Sequence, residues 1–251
     1  MFSVLAGKVA VVVGASSGIG EATMALLAEH ETNVVGMARN ADRLEKAVAA
    51  IGRNTCGVPC DATDPDQVRS AFRTVRERFG RVDMLFNVLG AARATTIADA
   101  TDEDISTVIG TNLLAPVYTT RSAVPLLQAA GGGDIVNVSS EVTIDLFPYL
   151  TLYGTAKAGL EMFTKAMTKE LKAAGIRVTL FVSGRTKTNF SMPMTPQRRA
   201  EAQAAWDADG CMRRVAGATQ MRPEEVAESM VFAVTRPRGQ MIDVVQVRSF
   251  S

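Results

Sequence analysis

The chain has 251 residues, a length that suits one α/β domain with a substantial core. Its 27 Lys and Arg residues nearly balance 26 Asp and Glu, which excludes the strong fields that mark nucleic-acid binders, acidic tails and membrane-surface patches. Cys56, Cys60 and Cys211 show no zinc-like pairing, so no metal site is expected, and reduced thiols suit a cytoplasmic protein.

In chain order, residues 9–13 (VAVVV) read as a buried β-branched strand. The turn that follows holds Gly14, Gly18 and Gly20 and leads into an amphipathic helix over 18–30. Glycines allow a sharp turn and let backbone N–H groups approach a pyrophosphate at the positive end of a helix dipole. Further strands are expected at 33–38, 56–59, 82–88, 134–139, 176–182 and 241–247, and helices at 41–51, 64–79, 102–128, 153–174 and 223–235. Repeated β-α-β units with right-handed crossovers predict one Rossmann-like, doubly wound parallel sheet of about seven strands, with helices on both faces. The whole chain, 1–251, is then a single domain. Residues 183–222 form the one long irregular piece, with a helical patch at 197–206, and such a loop inside a compact domain reads as a lid or binding loop. No apolar run approaches the ~18 residues needed to span a bilayer, and Lys8 interrupts any signal-peptide core.

Two spacings carry chemistry. Tyr153 and Lys157 stand four apart in LYGTAKAGLEMF, on one face of a helix, so an ammonium there favours the phenolate and lowers the Tyr pKa. Ser140 ends the apolar run DIVNVSS and could hold a carbonyl or alcohol oxygen while Tyr153 gives or takes a proton. Ser139, one residue earlier, is its rival.

Taken with Gly14-Ala15-Ser16-Ser17-Gly18-Ile19-Gly20, Asp61, the run from Asn87 to Gly90, and Asn112, this set resembles the short-chain dehydrogenase/reductase family along nearly the whole chain. The resemblance implies an oxidoreductase that interconverts a carbonyl and a secondary alcohol by hydride transfer. Tyr153 would be the acid/base, Lys157 would lower its pKa and bind the nicotinamide ribose, Ser140 would steady the substrate oxygen, and Asn112 would support a proton relay. The cofactor would lie against Gly14, Ser16, Ser17, Gly18, Ile19, Gly20, Asp61, Ala62, Asn87 and Gly90, with Thr188 on the nicotinamide carboxamide. At the end of the second strand Ala38 stands where NAD-dependent members carry Asp, and Arg39 follows; losing a carboxylate and adding a guanidinium favours NADP(H) over NAD(H). Arg39 as a plain solvated charge is the alternative reading. Four positions depart from the family pattern: Val13, Val88, Ser183, and a tail without Asp-Gly-Gly. Val13 and Val88 are expected to face each other in one apolar contact, and Ser183 to leave the backbone beside the nicotinamide less stiff.

A medium-sized or large apolar ketone, or the matching alcohol, is the expected small-molecule substrate, with 91–94, 141–152 and the long loop as its walls; Arg185 and Lys187 leave an anionic substrate open. A homodimer or homotetramer through the helices near 112–128 and 153–174 is implied, with no nucleic-acid partner. Two other functions use the same residues: an NADP(H)-sensing regulatory protein, and a non-redox epimerase or dehydratase.

Overall fold

The computed structural model describes residues 2–190, 192–211 and 219–250. Part of the expected lid, at 191 and 212–218, therefore lies outside the described residues. Strands β1 (Val9–Val13), β2 (Asn33–Ala38), β3 (Thr55–Pro59), β4 (Met84–Asn87), β5 (Gly133–Ser140), β6 (Ile176–Ser183) and β7 (Val244–Val247) form a seven-stranded sheet in the order β3-β2-β1-β4-β5-β6-β7. Every neighbouring pair is parallel. The helices are α1 (Gly18–Glu29), α2 (Ala41–Ile51), α3 (Pro65–Phe79), α4 (Asp102–Ile109), α5 (Ala115–Ala129), α6 (Thr151–Glu170), α7 (Pro196–Asp209) and α8 (Pro223–Val234).

Alternate residues of each strand feed two cores, as a pleated sheet covered on both sides requires. Ala10 and Val12 join Met24 and Leu27 of α1 and Met230 and Val231 of α8. Val11 and Val13 join Val68 and Phe72 of α3 and Leu126 and Leu127 of α5. The chain crosses from β3 back to β4 on the far side of β1, so a crevice opens at the carboxyl ends of β1 and β4, where open α/β sheets place their ligands.

One expected helix is three pieces. Residues 102–128 divide into α4, a π-turn at Gly110–Leu114, and α5. The cause is local. Asn112 Nδ2 donates to the Val108 carbonyl at 2.8 Å, taking the acceptor that its own N–H would use in an α-helix. Pro116 has no N–H to offer the Asn112 carbonyl four residues back. The lid helix α7 is longer than its sequence patch, because Thr195 caps it through Arg198 N and Gly210 ends it in a left-handed conformation. The final strand is shorter than expected, four residues of exposed edge.

Candidate active site

The glycine turn is built by close approach. Gly14 has φ 88°, and a Cβ there would stand 2.1 Å from the Val88 carbonyl oxygen; one at Gly20 would stand 2.2 Å from the Gly14 carbonyl oxygen. Only hydrogen fits at either position. Gly14 N donates to Met37 O at 2.9 Å, which ties the turn to β2. Ser17 is the N-cap of α1 in extended conformation, and its side chain makes no capping bond, so the first N–H groups of α1 face the crevice without an internal side-chain acceptor. Ser16, Ser17, Gly18 and Ile19 are all half-buried along this rim.

Around the turn stand the other expected cofactor residues. Thr188 packs on it: a Cβ on Gly18 would lie 3.0 Å from Thr188 Cγ2. Arg39 is exposed just past β2, while Asn40 is spent capping α2 through Arg43 N at 2.8 Å. Asp61 does not cap a helix. Its carboxylate accepts from Thr63 N and Thr63 Oγ1, and Asp64 alone caps α3, with Ala62 buried between them. Gly90 is exposed at the mouth, below the Phe190 ring.

Asn87 turns inward instead. Its Nδ2 donates to Asn137 Oδ1 at 2.8 Å and its Oδ1 accepts from Thr119 Oγ1 at 2.7 Å, and Asn137 Nδ2 donates to Thr164 Oγ1 at 3.0 Å. This ladder runs α5–β4–β5–α6 through the middle of the sheet, with the Asn87 side chain buried inside it. Val13 and Val88 do not share one apolar contact as expected: Val13 lies in the α3/α5 core, Val88 packs against the α1/α8 core, and only the backbone joins them, Val88 N to Val13 O at 2.9 Å. Side chains alternate across the pleat, so adjacent strand ends send them to opposite faces. Ser183 replaces a stiff ring with hydrogen bonds, donating to Gly184 O at 3.1 Å and meeting Thr186 Oγ1 at 3.3 Å.

Tyr153, Lys157 and Ser140 come together. Tyr153 lies in the first turn of α6 and Lys157 one turn on, while Ser140 ends β5, its hydroxyl near enough to the Tyr153 phenol to favour the ionised form. Lys157 is 2% exposed, and its Nζ donates to Val138 O at 2.8 Å and Leu89 O at 2.9 Å. Burial drives its pKa down to about 7, against the opposing pull of Glu161. The expected lowering of the Tyr153 pKa is not found: burial raises it, and the nearby Ser140 hydroxyl works in the other direction. Lys157 Nζ stands 5.9 Å from the Tyr153 ring centre, drawn to the two carbonyls. Asn112 is fully buried, and its amide is committed to Ala91, whose N–H it accepts at 3.3 Å and whose carbonyl it meets at 2.6 Å. Asn112 and Lys157 thus hold the 89–91 segment from two sides.

Over this centre lies an apolar wall. Tyr153 shares a cluster with Val142, Leu150, Phe147, Tyr149, Met192 and Met194. The Phe190 ring sits 5.8 Å from the Tyr153 ring. Helix α7 docks through Trp206 Nε1 to Pro148 O at 2.7 Å, through Arg198 to Asp99 at 3.0 Å, and through the Arg198 guanidinium over Tyr149. Tyr149 holds a left-handed backbone, φ 67°, which costs a non-glycine residue ~1 kcal/mol or more. Cys60 lies one residue past β3, its thiol pushed up to about 11 by burial and by Asp61 and Asp64, which makes it a poor nucleophile. Sequence reasoning missed Glu161, whose signal was only a charged residue one turn beyond Lys157.

The short chain dehydrogenase family profile matches residues 8–199. The chain belongs to that family. As a short-chain dehydrogenase it is 31% identical over 238 residues to carbonyl reductase family member 4 of Danio rerio, covering 94% of this chain and 95% of that one. An uncharacterized oxidoreductase of Staphylococcus aureus is 27% identical over 247 residues, with coverage of 98% and 99%. The fold matches an alcohol dehydrogenase of the archaeon Thermococcus sibiricus, solved with 5-hydroxy-NADP, at a TM-score of 0.81, 25% identity and 97% coverage of both chains. This dehydrogenase is therefore an oxidoreductase by family, and among its described residues no helix is long and apolar enough to cross a membrane.

Proposed function

We propose that the chain is an NADP(H)-dependent oxidoreductase that interconverts a ketone and a secondary alcohol, with Tyr153 as the proton donor and acceptor. The observation that carries this reading is the convergence of Ser140, at the end of β5, with Tyr153 in the first turn of α6 and the buried Lys157, whose Nζ stands 5.9 Å from the Tyr153 ring centre. A Ser hydroxyl and a phenol directed at one point can hold a carbonyl oxygen from two sides, and the phenol can then protonate it as charge develops there.

The residues fit a dinucleotide. The crowded glycines leave backbone at the crevice where a side chain would stand, the uncapped first turn of α1 suits a pyrophosphate, and Thr188 closes the turn from the lid side. Ala38 followed by the exposed Arg39 suits a 2′-phosphate. The bound cofactor would supply or take up a hydride at the substrate carbon. This chain's own residues orient, exclude water and move the proton. Lys157 returns a positive charge to the phenolate left behind, and Phe190 with the Met192–Met194 segment shields the centre from solvent. The apolar wall supports a medium-sized or large apolar ketone as substrate. A second copy of the chain would pack along α5 and α6, near the exposed Leu114 and Met162.

Loss of NADPH absorbance on mixing protein, NADPH and a panel of apolar ketones tests the proposal. Turnover is expected, and Tyr153→Phe should lower kcat by about 10²–10⁴-fold while NADPH still binds. A panel without turnover beside tight NADPH binding, or a Tyr153→Phe variant as fast as wild type, would overturn it.

A further inference from the structure

The two serines that end β5 do different work. Ser140 meets Tyr153, whereas Ser139 is 2% exposed and donates to Glu161 Oε1 at 2.8 Å. The same carboxylate oxygen accepts from Thr143 Oγ1 at 2.7 Å, and that hydroxyl also lies 2.9 Å from the Ser140 carbonyl. Glu161 thus gathers the end of β5, the turn at Glu141–Thr143 and helix α6 onto a single oxygen. On α6 it continues the stripe of Tyr153 and Lys157, each four residues from the next.

We propose that Glu161 is a positioning residue for the Ser140–Tyr153–Lys157 set, clamping the serine-bearing strand end onto α6 and setting a negative charge beside the buried lysine. The geometry serves both parts. Ser140 Oγ accepts from Val142 N at 3.3 Å, inside the turn that Thr143 pins to Glu161, so a shift of the carboxylate shifts the serine hydroxyl. The neighbours that hold Lys157 itself are neutral: the Val138 and Leu89 carbonyls. Elements packed on α6 carry other charges, namely Asp134 on β5, Glu141 in the turn, Arg177 on β6, Asp102, Glu103 and Asp104 at the start of α4, and Lys172 in the turn that follows α6. None of these acts on Lys157, whose ionisation is set by burial and by Glu161 in opposition. The part of the proposal that concerns catalysis rests on the reductase reading above.

The test compares wild type, Glu161→Gln and Ser139→Ala in three measurements: NADPH affinity against pH with no carbonyl present, kcat and KM for a ketone against pH, and the urea midpoint. Glu161→Gln keeps the shape and an acceptor oxygen but loses the charge. The alkaline limb of both NADPH binding and kcat should move down by about one pH unit, a tenfold loss of kcat on that limb, with KM for the ketone within about twofold. Ser139→Ala keeps the charge and loosens the clamp, so kcat should fall several-fold with the limb in place. An unmoved binding limb in Glu161→Gln, or an equal displacement in Ser139→Ala, would overturn the proposal, as would a loss of kcat that only follows the urea midpoint. If Glu161→Gln does not fold, the fixed limb and reduced kcat of Ser139→Ala decide the clamp. If wild type binds NADPH but reduces no ketone, the reductase reading fails, and the binding limb still decides on Glu161.

Discussion

Replacing Lys157 with Met should stabilise the protein at acid and neutral pH while removing the ammonium proposed to serve Tyr153. The ordinary Lys value of 10.5 falls to about 7 in the fold, and this difference of about 3.5 units amounts to ~5 kcal/mol against burying the charged form. Methionine fills nearly the same space without a charge, but it leaves the Val138 and Leu89 carbonyls without their donor, at ~1 kcal/mol or more each. A net gain of about 2 kcal/mol remains at pH 6. The sign with pH follows from proton counting. Between about 7 and 10.5 the unfolded lysine holds a proton that the folded one has released, so wild-type stability rises with pH through that window. By pH 9 the penalty has shrunk to ~2 kcal/mol and the two proteins should converge. Urea denaturation followed by circular dichroism at pH 6, 7.5 and 9 measures both curves. A variant less stable than wild type at pH 6, or a gap that stays constant up to pH 9, would refute the reasoning.

Gly14→Ala, at φ 88° and with its new methyl 2.1 Å from the Val88 oxygen, should lose about 2–4 kcal/mol in thermal or urea unfolding, since both strain and backbone displacement are imposed. Asn137→Ala strands the Asn87 amide inside the sheet and should cost about 2–4 kcal/mol in urea unfolding, with NADPH affinity nearly intact if the ladder serves only the fold. Arg39→Ala should weaken NADPH about 10-fold or more in a fluorescence titration and leave NADH unchanged, because one charge-assisted pair is worth ~1.5–3 kcal/mol.

The sheet was legible because buried parallel strands must be continuously apolar and the helices between them amphipathic; VAVVV and MLFN needed no tertiary knowledge. The Tyr153–Lys157 pair was legible because helical spacing alone puts both on one face. Three features were not. The π-turn depends on one amide competing for Val108 O, a contest that hydrophobic periodicity does not register. The low charge affinity of Lys157 arises from depth of burial, which the spacing of four residues says nothing about. The part played by Glu161 exists only where β5 and α6 touch, so its partners Ser139 and Thr143 stand 22 and 18 residues away in the chain. Asn87 and Asn137 offered a usable signal, a lone amide in each of two strands, and the two stand opposite each other in the sheet.

That pairing of amides bears on how the chain finds its alignment. A strand greasy on both faces can slide along its neighbour by a step without exposing anything, so oil-like attraction is indifferent to the error. Asn87 opposite Asn137 removes the indifference: one notch of slippage would bury two amides with nothing to hold, at ~1–3 kcal/mol for each abandoned group. The central strands thus carry a lock-and-key tooth, and part of the proofreading of the sheet is vested in two residues that need never meet a substrate.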